Sequence, residues 1–216
     1  MPSKSEHIPR ATIQRLAVYV QVLENLIRDN TDVISSEHLA RICSVNPSQI
    51  RKDLAYFGEF GVRGVGYYVQ DLNSSIKKAL GVDRTWNCAL VGVGNLGRAL
   101  LRHKVFKQRG FNIVGAFDCD PFKIGEVISG LEVICSRRLS EKVEEMNIEV
   151  GIITTPPERA QRAANYLIDA QVKGIICFAP TRITVPESLH VEYVDFFHHF
   201  YNVAFNITLS DNLSNS

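Results

Sequence analysis

The sequence predicts an α/β fold: an N-terminal winged helix-turn-helix, then a Rossmann-type doubly wound parallel sheet followed by a C-terminal helix. Three observations predict it. From residue 88 onward, short apolar runs without alternation recur between amphipathic stretches, as in a parallel sheet covered on both faces. A G-x-G-x-x-G run, Gly92 to Gly97, lies where one such strand passes into a helix. Ahead of these, a short helix, a three-residue turn and a polar-fronted helix follow in order. The chain therefore divides into 1–80, 85–195 and 196–216, with Gly81-Val82-Asp83-Arg84 as linker.

Residues 12–28 carry Ile13, Leu16, Ala17, Val20, Leu23, Leu26 and Ile27 at three- and four-residue steps, a helix with those positions turned inward. Ser35-Ser36-Glu37 caps a short helix ending at Ile42, with Leu39, Ala40 and Ile42 inward. After the turn Cys43-Ser44-Val45, Asn46 caps a second helix with Pro47 at its first position. That helix continues to Phe57 and stops at Gly58. Three close glycines between β-formers, residues 61–66, predict a hairpin wing with Arg63 near its tip. Leu72 to Leu80 forms a further amphipathic helix. Ile50, Leu54 and Phe57 must face the core, which leaves Ser48, Gln49, Arg51 and Lys52 exposed. Such residues at the front of a recognition helix face base edges, and Tyr56 packs or meets a phosphate. Arg51 suits a guanine, Lys52 a guanine or a phosphate, and Arg63 a narrow minor groove. The plainer reading of Arg51 and Lys52 is two solvated charges.

In the second domain Ala89-Leu90-Val91 is a buried strand. Gly92 allows the tight turn, Gly94 lets a pyrophosphate approach the backbone, and Gly97 lets the helix pack close. Val93, Asn95 and Leu96 complete the loop, whose phosphate sits on the helix N-terminus. A second strand, Ile113 to Phe117, ends in Asp118, 21 residues beyond Gly97, where a ribose-binding carboxylate belongs. That carboxylate favours NAD(H) over a 2′-phosphorylated nucleotide, and no arginine follows it immediately. Further strands are expected at 133–135, 150–154, 174–178 and 191–194, with helices at 139–146 and 158–170. The loops Thr154-Thr155-Pro156 and Ala179-Pro180-Thr181 fall at the carboxyl edge of the sheet, where ligands bind. A nucleotide of the coenzyme A type is the alternative occupant.

From Phe196 the chain crowds aromatic residues onto a helix with little polar surface. A monomer would expose them, so a homodimer, with this helix exchanged, is expected. The alternative folds the helix back on its own sheet. Net charge is +1 over 216 residues, so any nucleic acid must be met by a local patch rather than by overall charge. No apolar run approaches a bilayer-spanning length and the first ten residues lack a signal-peptide core, so a cytoplasmic protein is expected. The five cysteines show neither C-x-x-C nor metal-ligand spacing, so no metal is expected.

These motifs resemble one family. Asn46 to Gly58, the wing Arg63-Gly64-Val65-Gly66-Tyr67, Val91 to Gly97, the run from Phe117 through Asp118, Asp120, Pro121 and Lys123 to Gly125, and Phe178-Ala179-Pro180 look like the Rex redox-sensing transcriptional repressors. The resemblance covers almost the whole chain in order. It implies a homodimeric repressor on palindromic double-stranded operator DNA, with NADH and NAD⁺ as competing effectors rather than redox substrates, and release by NADH. It also implies an exchanged C-terminal helix, with Phe178 and Phe196 at the nicotinamide end. Some members of the family pair an arginine, a tyrosine and an aspartate in a polar relay. The corresponding residues here are Gln21, His103 and Asp195, of which only Asp195 fits as a switch residue. An NAD-dependent dehydrogenase is the rival reading, but residues 119–216 supply no separate catalytic domain, and the adjacent His198 and His199 cannot share one site. The chain therefore reads as a regulator and not an enzyme. A DNA-binding protein whose Rossmann half only dimerises is the other rival.

Overall fold

Helical periodicity builds the first of two compact units, Met1–Arg84 and Thr85–Ser216. The computed structural model describes residues 8–58, 60–62 and 64–214. Arg63, expected near the wing tip, lies outside the described residues. In the first unit α1 (Arg10–Arg28) buries Thr12, Leu16, Tyr19, Val20 and Leu23. Ile13 and Ala17, read as inward, are exposed instead, because the inward face is rotated toward Thr12 and Tyr19. After β1 (Val33–Ile34), α2 (Ser36–Ile42) starts under the Ser35 side chain, which accepts from the His38 backbone N–H at 3.1 Å. Leu39 and Ala40 are buried, but Ile42 is 43% exposed, a correction to its inward assignment.

The turn Cys43-Ser44-Val45 places Ser44 at φ 54°. α3 (Pro47–Leu54) follows, shorter than expected because Ala55 to Phe57 form a turn. Among the described residues the wing shows one bridge, Val62 to Gly66. β2 (Tyr67–Tyr68) pairs antiparallel with β1, and α4 (Val69–Ala79) packs on α1. Leu16, Leu23, Leu39, Ile50, Leu72 and Ile76 close the core.

The second unit is a seven-stranded sheet. Its strands are β3 (Trp86–Val91), β4 (Phe111–Asp118), β5 (Val127–Ile128), β6 (Leu131–Cys135), β7 (Val150–Ile153), β8 (Gly174–Cys177) and β9 (His190–Tyr193). Their order is β5-β6-β4-β3-β7-β8-β9, parallel except for the β5–β6 pair. Without β5 this is the doubly wound order 3-2-1-4-5-6. α5 (Asn95–Arg102) and the short α6 (Val105–Gln108) link β3 to β4, α7 (Leu139–Glu145) links β6 to β7, and α8 (Pro157–Asp169) links β7 to β8. On one face Ala160, Ala163, Ala164 and Leu167 of α8 pack on Val91, Ile153 and Ile175. On the other, Leu100 and Leu101 pack with Leu90, Ala116 and Val133. Between β4 and β6 the chain runs through a turn and β5.

α9 (Phe197–Ser214) ends the chain. It is not folded back on its own sheet: Phe200, Tyr201 and Phe205 are 67%, 69% and 66% exposed.

Candidate functional site

The central strand delivers the loop. Val91 pairs with Phe117 on one side and Ile153 on the other, so Gly92 emerges between the carboxyl ends of β4 and β7. Gly92 sits at φ 105°, and a Cβ there would lie 2.7 Å from the Thr155 Cγ2. The Thr154 hydroxyl donates to the Gly92 carbonyl at 2.6 Å, holding the turn. A Cβ on Gly97 would overlap the Gly92 carbonyl oxygen, so the helix needs glycine there in order to pack. Gly94 differs: a Cβ on it meets nothing within 4 Å. The protein itself leaves that space open.

The open space belongs to a cavity of about 590 Å³. Gly92, Gly94, Asp118, Thr154, Thr155 and Pro156 line it, as the sequence predicts. Sequence reasoning missed Ser136, Lys123 and the α8 residues Arg159, Arg162 and Tyr166. The α8 trio was findable, since its spacing of three and four puts one helix face over the strand ends. The Thr155 hydroxyl is buried without a hydrogen-bond partner. A buried orphan of this kind at a cavity wall suits a polar ligand, and with the free space at Gly94 it fits a dinucleotide. Asn95 and Leu96 are exposed on the first turn of α5, outside the cavity lining. Phe178 and Phe196 also lie outside the lining, against each other with ring centroids 6.4 Å apart.

Asp118 is buried, and both its oxygens are engaged. One accepts the Val93 N–H at 2.7 Å and the Lys123 Nζ at 3.0 Å. The other accepts the N–H groups of Cys119 at 2.8 Å and Asp120 at 3.0 Å. Burial pushes its carboxyl upward, but the hydrogen bonds from Asp120, Lys123 and Val93 outweigh burial and hold it below the usual carboxylate range. Asp118 therefore fixes the loop conformation, and the Val93 N–H is committed to it. Lys123 partly balances the charge that was expected to repel a 2′-phosphate. Cys119, beside it, is exposed and also lines the cavity. Burial raises the buried thiol of Cys88 to about 11.

α3 is built with comparable care. The Asn46 side chain accepts the Gln49 N–H at 2.7 Å, and Pro47 occupies the first position. Ser48 and Lys52 are exposed, and Tyr56 is half-buried with its ring against Phe57. Arg51 is exposed but lies along α2, its Nη1 2.9 Å from the Ser36 hydroxyl. Sequence reasoning missed Asp53, which is fully buried. It accepts both ends of the Arg15 fork at 2.6 Å, the Tyr19 hydroxyl at 2.8 Å, the Thr12 hydroxyl at 3.1 Å and the Gln49 Nε2 at 2.8 Å. The carboxylate thus ties α3 to α1. Of the relay positions, Asp195 accepts the Phe197 N–H at 2.9 Å and so caps α9. Gln21 and His103 are exposed.

Two family models match the chain. Residues 83–181 match the family model "CoA binding domain", and residues 7–55 match "Putative DNA-binding protein N-terminus". The redox-sensing transcriptional repressor Rex of Solidesulfovibrio magneticus is 74% identical over 206 residues, 95% of this chain and 94% of that protein. The chain belongs to the Rex family. The Rex of Maridesulfovibrio salexigens is 73% identical over 95% of this chain and 98% of that one. The Rex-family repressor RSP, solved in complex with beta-NAD⁺ and operator DNA, gives a TM-score of 0.90 at 33% identity, covering 98% of this chain and 97% of its own. RSP in complex with beta-NADH gives 0.87 at 32% identity, covering 96% and 98%. Rex proteins are transcriptional regulators, so the dehydrogenase reading is set aside. Among the described residues of this Rex chain no helix is long and apolar enough to cross a membrane, and no cluster of His, Cys, Asp or Glu could hold a metal.

Proposed function

We propose that this protein represses transcription as a homodimer on palindromic operator DNA and is released by NADH, with NAD⁺ competing for the same cavity. The observation that carries the reading is the cavity at Gly94, which the fold leaves open in a chain that also carries a capped helix-turn-helix. Gly92, Gly94, Thr154, Thr155 and Pro156 hold the pyrophosphate end, with Val93, Asn95, Leu96 and Gly97 shaping the loop. Asp118 holds the loop at the adenosine ribose in shape, and Phe178 and Phe196 meet the nicotinamide. Ser48, Gln49, Arg51, Lys52, Tyr56 and Arg63 face DNA.

RSP has been solved with NAD⁺ and operator together, and separately with NADH. That pair supports NADH as the releasing form. The two nucleotides differ only at the nicotinamide ring, and a ligand shifts an equilibrium only by its differential affinity for the two states. A coupling of roughly 1–3 kcal/mol would change operator affinity about 5- to 150-fold. The exposed aromatic face of α9 supports the dimer, with α9 exchanged and Asp195 as the switch residue at its cap. A cytoplasmic location follows from this role.

The test is fluorescence anisotropy of a labelled operator at fixed salt, titrated separately with each nucleotide. Release by NADH but not by NAD⁺ is expected. Tight binding indifferent to both would overturn the redox reading and leave a DNA-binding dimer. Fixed salt matters because phosphate contacts make affinity steeply salt-dependent.

A further inference from the structure

A side-chain amide carries a donor at one end and an acceptor at the other, and which end faces outward decides what it reads. Gln49 stands in the first turn of α3, half-exposed, with its Nε2 2.8 Å from the Asp53 Oδ1. Asp53 is fully buried and grips both ends of the Arg15 guanidinium fork. Such a pair keeps the carboxylate ionised, so it only accepts. Turning the amide over would set its carbonyl oxygen against that carboxylate. One N–H of the amide is therefore held inward and the orientation of the carbonyl oxygen is fixed, with the second N–H left beside it. The Gln49 Oε1 is not among the buried polar atoms left without a partner, which are Asn73 Oδ1 and Thr155 Oγ1, and no described protein group donates to it.

We propose that the Asp53 carboxylate fixes the polarity of the Gln49 amide, so that its carbonyl oxygen faces the DNA with the one remaining N–H beside it, making Gln49 a reader of the exocyclic amino group of adenine or cytosine. This rests on the reading above that α3 enters a major groove. In that groove the donors on base edges are adenine N6 and cytosine N4, whereas guanine offers only acceptors and thymine an acceptor and a methyl group. With its polarity fixed, the amide accepts from adenine N6 or cytosine N4, and on adenine its remaining N–H can also reach N7; guanine and thymine are disfavoured because each sets an acceptor against the carbonyl oxygen. Asp53 is then a positioning residue: it never touches DNA, yet it sets the polarity of a group that does.

The experiment starts with the full-length protein and a random duplex pool, from which bound sequences are enriched. In the enriched duplex each adenine is replaced by purine, which lacks N6, and each cytosine by 2-pyrimidinone, which lacks N4. Affinities are measured for wild type and Gln49→Ala, so that effects on base pairing cancel in the double-mutant cycle. Wild type should lose roughly 3- to 15-fold at one position per half-site, and Gln49→Ala should be indifferent there while keeping its sensitivity elsewhere. Asp53→Asn, whose amide can turn to face either end of Gln49, should accept guanine or thymine at that position with its other preferences intact. If that variant fails to fold, Gln49→Ala decides alone. The proposal is overturned if Gln49→Ala keeps the wild-type sensitivity at every adenine and cytosine. A pool that yields no bound duplex overturns the DNA reading itself, and the proposal with it.

Discussion

At the scale of single residues, Asp53 is the most consequential group that the sequence conceals. A charged residue between Ile50 and Leu54 reads as part of a solvated face, and only the approach of α1 makes it a buried hub. Burial raises its carboxyl, but the hydrogen bonds from Arg15, Tyr19 and Gln49 prevail and the net shift is downward. A depressed folded value means stabilisation that is fully present above the unfolded carboxylate value and is lost as pH falls through the folded one. The first unit should therefore lose stability on acidification below about pH 4. Asp53→Asn, where it folds, should flatten that slope, as thermal melts between pH 3 and 7 would reveal. A wild-type profile in the variant would assign the acid sensitivity to other carboxylates. Asp118 makes the second prediction at this scale. Asp118→Ala frees the Val93 N–H and removes the partner of Lys123, so it should weaken NADH by about tenfold or more while narrowing the gap to NADPH. Nucleotide titration measures both.

At the scale of elements, the three glycines of the loop separate folding from binding. Gly94 has φ −88° and ψ −162°, extended backbone open to any residue, and free space at its Cβ. Gly94→Val should melt like wild type and lose NADH response, since the new side chain stands where phosphate belongs. Gly97→Ala should instead lower the melting temperature, because its methyl group collides with the Gly92 carbonyl. Equal melting temperatures for the two variants would show that α5 can shift without cost. Asn46→Ala should cost about 1 kcal/mol by uncapping α3. These elements were legible because their signals are local: a cap followed by proline, a strand running into glycines, an apolar run of four or five. β1 and β2 were not legible, since two residues carry no periodicity and exist only through each other. β5 escaped for the same reason. The outward turn of Ile13, Ala17 and Ile42 was hidden because apolar spacing on a helix does not say which of two apolar stripes the core will take.

At the scale of the whole molecule, the exposed face of α9 calls for a partner. Replacing Phe200 and Phe205 with glutamate should shift the sedimentation coefficient from dimer to monomer and abolish tight operator binding, because half-sites are then no longer held together. A dimer unchanged by both charges would send the interface elsewhere. The order of strands has a further consequence. Under the proposed docking the cavity with Asp118, Lys123 and α8 serves the adenosine half that NADH and NAD⁺ share, and the half in which they differ lies toward Phe178, Phe196 and the start of α9. Changes in the first region scale both affinities together and so move the total nucleotide concentration at which the repressor responds. Changes in the second move the redox ratio at which it switches. The threshold and the set point thus sit on different strands, and each can drift through selection without dragging the other.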